Sequence, residues 1–250
     1  MRTIQTIVTL AVVLVGAPLA SAQSVVKVTG STTINAILFQ PHKSDIEKGA
    51  GVSIEVIGNS SSRGLTDLVG GRSDIAMISS PLAEIAQKVN EKTPGAVDAS
   101  GLREFKIGES RLVFIVHPTN PVKSLTLAQL RDVFAGKVTN WKELGGADAP
   151  IAVVTEGPGN GMRTTIEDKI MGGVPFTSQA RVVVNAPQMP VIVKQLPSAI
   201  AFATPKVAEG SGVTIVKTDK PIVQSLFLVT KGAPSPTLTK VVEAATTAAH

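Results

Sequence analysis

The sequence predicts an α/β fold with largely parallel strands. Short apolar runs rich in Val and Ile alternate with stretches whose apolar residues recur at helical spacing. The turns that follow several of these runs are made of Gly, Ser, Thr and Asn, as strand-to-helix turns are. With 250 residues the chain is long enough for one large domain or two small ones, each with a core of its own.

Val25–Val28 reads as the first strand. Ile34 to Lys48 reads as a helix with Ala36, Ile37, Phe39 and Ile46 on its buried face. Ser53–Ile57 is the second strand, and Leu65, Leu68 and Val69, at i, i+3, i+4, mark the next helix. Asp74–Ile78 is the third strand, and the β-α-β-α-β order opens a doubly wound lobe. Leu112–Val116, "LVFIV", is a continuous apolar run, as expected of a strand buried on both faces. Thr126 and Gln129 form a capping box for a helix that carries Leu127, Leu130, Val133 and Phe134 and stops at Gly136. Ile151–Val154 is a strand, followed by the Gly-rich turn "EGPGNGMR" (Glu156–Arg163) and another helical pattern. Val182–Val184, Ile200–Phe202, Val213–Val216 and Leu226–Val229 are further strands, and a helix from about Pro236 closes the chain. The loops around Pro118–Pro121 and Lys217–Pro221 are the expected crossings between two lobes.

Composition narrows the function. Arg2, the apolar run Ile7–Val15 and Ala20-Ser21-Ala22 have the order of a cleaved secretory signal, with the mature chain beginning at Gln23. The apolar run is too short to span a bilayer. The chain contains no cysteine, which excludes disulfides, thiol catalysis, Cys-ligated metal and a lipid anchor on cysteine. A periplasmic, unanchored protein is expected. The net charge of +5 suits an anionic partner, but no Lys/Arg block is interleaved with aromatics, so nucleic acid is not expected. His42, His117 and His250 have no metal-ligand spacing. No G-x-S-x-G elbow, P-loop lysine or H-E-x-x-H is present. Glu167 and Asp168 are adjacent and diverge on a helix. These observations argue against an enzyme and call for no metal or cofactor.

Four polar turns carry the functional signal: "TGSTTI" (Thr29–Ile34), "GNSSSRG" (Gly58–Gly64), "DIAMISSPL" (Asp74–Leu82) and "GPGNGMR" (Gly157–Arg163). Any one of them is explained by a helix cap. Four in one chain, each after a strand, mark the carboxyl edge of α/β sheets, where free N–H groups and helix dipoles hold anions.

These stretches resemble the phosphate-binding proteins of bacterial ABC transporters, a branch of the type 2 periplasmic binding proteins. "VTGSTTI" is similar to the family's first Gly/Ser/Thr turn. "SSRGLTDLVGGRSDIAMISSPL" is similar to its serine turn, helix and following strand, and "HPTNPVKSLTLAQLRDVFAGKVTNWKELGG" (His117–Gly146) is the nearest match. "GNGMRTTIEDKIM" stands at its S-G-T-R turn and "AIAFATP" at its I-G-Y strand. The resemblance implies two α/β lobes, each a doubly wound sheet flanked by helices, with a ligand cleft between them. Residues 23–112 would form the first lobe, 113–217 the second, and 218–250 the return to the first. It further implies a monomer that captures an inorganic oxyanion, phosphate first and sulfate-like anions next, without metal or cofactor. The ligand would then pass to a membrane ABC permease.

Position by position, the resemblance places Thr33, Ile34 and Ser61 on the family's ligand contacts, and Asn160, Gly161, Met162 and Arg163 on its S-G-T-R turn. Ser79 stands where transporter-type members carry an aspartate that accepts the phosphate's proton, which implies weaker discrimination against sulfate. Met162 replaces a threonine and loses a hydroxyl. Glu156 falls near the arginine that pairs with the anion. Arg63, where the family has glycine, is then expected either to supply the missing charge or to meet Glu156 in a salt bridge across the cleft. These departures also leave open a divergent relative that acts as a sensor or adaptor, or that binds a different ligand.

Overall fold

A computed structural model describes residues 25–249. The signal segment read in residues 1–22 and His250 lie outside them. β1 (Val25–Gly30) lies between β2 (Ser53–Gly58) and β3 (Ile75–Ile78) and runs parallel to both. Parallel neighbours need crossover connections, and helices supply them. From the end of β1 the chain runs through α1 (Thr32–Ile34), a π-helical turn at Asn35–Phe39 and α2 (Gln40–Ala50). α3 (Ser61–Val69) then joins β2 to β3. The β-α-β-α-β opening stands as expected.

The buried face of the first helical stretch does not. Ile34, Leu38, Phe39 and Ile46 are buried, whereas Ala36 and Ile37 are only partly covered. The π-helical turn adds a residue to the repeat and rotates the apolar stripe, which a period of about 3.6 does not anticipate.

α4 (Leu82–Lys92) leads to β4 (Leu102–Val116), and the chain continues through β5 (Ser124–Leu125), α5 (Leu127–Phe134) and β6 (Ala152–Glu156). Next come α6 (Gly161–Ile166), β7 (Arg181–Val183), α7 (Gln188–Gln195) and β8 (Ala199–Ala203). α8 (Pro205–Ala208), β9 (Thr214–Thr218), β10 (Ile222–Lys231) and α9 (Pro236–Ala248) complete it. The capping box of α5 forms as read, with Thr126 accepting from the Gln129 N–H and Gln129 from the Thr126 N–H. The main path of strands is β2-β1-β3-β10-β4-β8-β6-β7.

Two bodies of core lie along this path. One gathers around Val28, Phe39, Met77, Leu228 and Val241, with a satellite around Leu65, Ile78 and Ile85. The other gathers around Phe114, Phe134, Trp141, Met162 and Phe202. In the second, Phe134 packs on Phe114, Phe176 and Phe202 with ring centroids 5.5–5.9 Å apart. Trp141 donates its indole N–H to the Ser198 carbonyl at 2.9 Å.

The passage between lobes is made by strands rather than loops. β4 is 15 residues long; Ile107 belongs to the first core and Leu112, Phe114 and Val116 to the second. β10 runs antiparallel beside it and returns, with Ile222 in the second core and Leu226 and Leu228 in the first. The proline loops expected to cross stay with the second lobe, where Lys217 N–H donates to the Lys123 carbonyl at 2.9 Å and β5 pairs with β9. An antiparallel ladder keeps the backbone N–H and C=O groups paired through the crossing, which two bare loops would not. The ladder slips register between Leu226 and Phe227, opposite Gly108 and Lys106.

Candidate functional site

The four polar turns meet at the boundary between the lobes. β1, β2 and β3 end side by side because their pairing is parallel, so the turns after them share one edge. Ser31, which caps α1 by accepting from the Ile34 N–H at 3.2 Å, donates its hydroxyl to Ser79 Oγ at 3.0 Å. Ser61, the first residue of α3, accepts from the Ser79 N–H at 3.2 Å and stands 3.5 Å from Ser79 Oγ. Ser31, Thr33, Ser61 and Ser79 are all buried. α3 lies this close to β1 because Gly64 has no side chain: a Cβ there would overlap Gly30 Cα and the Thr29 carbonyl.

The turn after β6 supplies the facing wall. A Cβ on Gly161 would overlap Ser79 Oγ and stand 2.9 Å from Ser61 Oγ, so only glycine lets the walls close to this distance. Direct bonds cross the boundary: Ser62 N–H to the Gly159 carbonyl at 3.1 Å, and Ser80 Oγ to the Gly161 carbonyl at 3.2 Å and to Thr165 Oγ1 at 3.1 Å. Lys88 and Glu167 add a cross-lobe ion pair at 3.3 Å.

Glu156, the last residue of β6, points into this boundary and is only 1 % exposed. One carboxylate oxygen accepts from Thr32 Oγ1 at 3.4 Å, and the other is buried without a partner. Burial pushes the carboxyl up to about 7, against smaller opposing pulls from the Thr32 hydroxyl and from Arg163.

The predicted residues divide. Thr33, Ile34, Ser61, Ser79 and Gly161 come together, although the Ile34 N–H is already given to Ser31. Asn160 caps α6 without a side-chain bond to it and donates to the Gly157 carbonyl at 3.1 Å, within its own turn. Met162 is a side chain of the second core rather than of the boundary. Neither arginine reaches an anion position. Arg63 has a 68 % exposed side chain and pairs with Asp67, one helical turn on, at 3.6 Å. It does not meet Glu156. Arg163 gives Nε to Glu167 at 3.0 Å and Nη1 to the Glu156 backbone carbonyl at 2.9 Å, and lies 4.6 Å over the Phe176 ring. Ser31, Thr32, Ser80 and Thr165 belong to the site and were not singled out, though Ser31, Thr32 and Ser80 stand inside the quoted turns.

The arrangement offers hydroxyl and amide donors from both lobes, one buried carboxyl and no guanidinium aimed inward. Such donors suit a small ligand rich in oxygen. A family model described as a PBP superfamily domain matches residues 17–209. The chain belongs to the PBP superfamily. Among PBP relatives, the phosphate-binding protein PstS of Bacillus subtilis (strain 168) is 27 % identical over 146 residues, 58 % of this chain and 46 % of that protein. The chain thus spans about half the length of the curated relatives it matches. A solved structure from Clostridium perfringens, described as a phosphate ABC transporter substrate-binding protein with bound phosphate, is 28 % identical with a TM-score of 0.75, covering 88 % of this chain and 92 % of that one. An ABC-type phosphate transport receptor from Vibrio cholerae shares the fold at a TM-score of 0.66 and 24 % identity, over 89 % and 93 % of the two chains. The two-lobe, type 2 periplasmic binding protein fold expected from the sequence is the fold of this PBP chain.

Proposed function

We propose that the protein is a periplasmic solute-binding protein that closes two lobes on an inorganic oxyanion, phosphate first, and hands it to an ABC-type permease. It acts as a monomer and carries out no reaction. The lobes divide within β4 and β10, close to the expected bounds of 23–112, 113–217 and 218–250, with Leu112 and Ile222 going to the second lobe. The observation that carries this reading is the convergence of Ser31, Ser61 and Ser79 from one lobe with Gly161 from the other on one buried polar cluster. The likeness to the phosphate-bound Clostridium perfringens structure supports phosphate as the first anion to try. Among the described residues no helix is long and apolar enough to cross a membrane, which is compatible with delivery to a separate permease.

Ligand contacts are assigned to Thr33, Ser61, Ser79 and Gly161, with Ser31 and Thr32 added. Asn160 and Ile34 support the turns. Arg63, Met162 and Arg163 are withdrawn as contacts, because their side chains are engaged elsewhere. Calorimetric titration of ligand-stripped protein with phosphate, then sulfate, in low-salt buffer tests the reading. Phosphate binding that Ser61→Ala weakens and Arg63→Ala leaves alone is expected. One observation favours the second reading, a sensor or adaptor without anion transport: Glu156 stands in the cleft with no cation facing its carboxylate. A titration silent for both anions moves the assignment there.

A further inference from the structure

Beside the passage between the lobes lies a second cavity, of about 520 Å³, which none of the four polar turns lines. Sites for small organic ligands run from about 300 to 1,000 Å³. Its walls come from both lobes, with Leu38 from the first and Lys206 on α8 from the second. Lys206 spans the gap and donates to the Ile37 carbonyl at 3.0 Å. The floor is the ladder itself, where Gly108 and Ser110 of β4 and Leu226 of β10 line the cavity. Gln224 is the cross-strand partner of Ser110, and strand alternation puts it on the face of Leu226. Gln224 is 1 % exposed, and neither the nitrogen nor the oxygen of its amide has a hydrogen-bond partner. A buried amide without partners costs stability, and an apolar side chain would avoid that cost. Charge at the rim is positive. Arg111 and Lys206 stand there exposed, and the one acid of the lining, Glu109, is held by Lys106 at 2.6 Å.

We propose that this cavity is a second ligand site, for a small organic acid with an apolar body and a primary amide at its far end. Each part of the ligand answers a part of the wall. The carboxylate meets the Arg111 and Lys206 cations. The apolar body lies on Ile37, Leu38 and Leu226. The amide offers a donor and an acceptor on one side, as the Gln224 amide does, so the two exchange a pair of hydrogen bonds. The Gln224 amide is covered in the structure, so its side chain turns outward when the ligand arrives. The cavity exists in the form whose lobes are bonded to each other, at Ser80 and Gly161 among other places. A ligand that touches both walls favours that form, and by linkage it tightens what the cleft holds. The site stands apart from the oxyanion reading above; only the linkage to phosphate rests on it.

The test is calorimetry of the full chain with three probes of one length: the monoamide of adipic acid, hexanoate, which lacks the amide, and adipamide, which lacks the charge. The monoamide should bind most tightly. Loss of the amide should weaken binding by up to about tenfold, and loss of the charge by up to about fivefold. Arg111→Gln, a change at an exposed side chain, should weaken both acids by up to about fivefold and leave adipamide alone. Gln224→Leu should melt above wild type and lose the preference for the monoamide over hexanoate. A merely structural glutamine would lower the melting temperature and leave that preference in place. With the monoamide at saturation, phosphate should bind about fivefold or more tightly than without it. Unchanged phosphate affinity overturns the linkage. Absence of phosphate binding under both conditions overturns the oxyanion reading and leaves the site in place. No heat from any of the three probes overturns the site, as does wild-type binding that neither variant alters. Should Gln224→Leu fail to fold, Arg111→Gln and the ranking of the three probes decide.

Discussion

On the first-lobe wall of the cleft, Ser31, Ser61 and Ser79 bond to one another and to the Ser79 N–H, so three hydroxyls are ordered before any ligand arrives. On the second-lobe wall, Glu156 keeps a buried oxygen without a partner, although it sits at the end of an equally regular strand. Both walls are polar and buried, and they differ in what remains to be satisfied. A self-satisfied cluster is stable and positions donors; an unsatisfied carboxyl costs stability and waits for a partner. The first wall shapes the site, and the second makes it conditional.

The contrast can be broken or sharpened by single substitutions. The largest effect is expected from Gly161→Val, which drives a branched side chain onto Ser79 and Ser61 where even a Cβ overlaps. Overpacking of this kind costs about 1–3 kcal/mol, and affinity for phosphate should fall by about a hundredfold in calorimetry. An unchanged affinity would mean that the walls do not meet in the bound form.

Glu156→Gln should separate the walls by pH. The folded carboxyl holds its proton up to about 7 rather than 4.5, so the wild-type protein loses stability as pH rises between those values. Glutamine has nothing to lose. The variant should gain up to about 3 kcal/mol over wild type above about pH 8, and the gain should vanish below about pH 4. Thermal melting at both ends of that range measures it; a gain independent of pH would sink the account of Glu156.

Ser61→Ala acts on the other wall. It leaves the buried Ser79 N–H without its acceptor, a loss of about 1–3 kcal/mol at any pH, visible in urea unfolding. The smallest effect belongs to Arg63→Ala. Its exposed pair with Asp67 contributes about 0.5 kcal/mol or less, and phosphate affinity should stay within about twofold. A tenfold loss would put Arg63 back in the site.

The turns that form the site were legible because parallel pairing dictates that they share an edge. What each charged side chain does was less so. Arg63 and Arg163 look free in a motif, yet each has an acid four residues on, Asp67 and Glu167, and on a helix that spacing brings them together. That signal was in the sequence. The burial of Glu156 was not, because its carboxylate faces the other lobe, where its hydrogen-bond partner Thr32 stands far away in the chain. Met162 looked like a lost ligand because it replaces a threonine, and only the register of α6 turns it into the second core. The length of β4 was also hidden. Its first half, "LREFKIGES", alternates with charge and lacks the apolar run that marks its second half.

β4 has a consequence for how the molecule comes apart. Its 15 residues are shared by both cores, and β10 is paired to it through the passage between them. Neither lobe can lose its sheet without pulling side chains from the other. The protein should therefore melt in one cooperative transition rather than lobe by lobe. The amides between Ile107 and Leu112 should be among the slowest to exchange with solvent, opening only when the whole fold does.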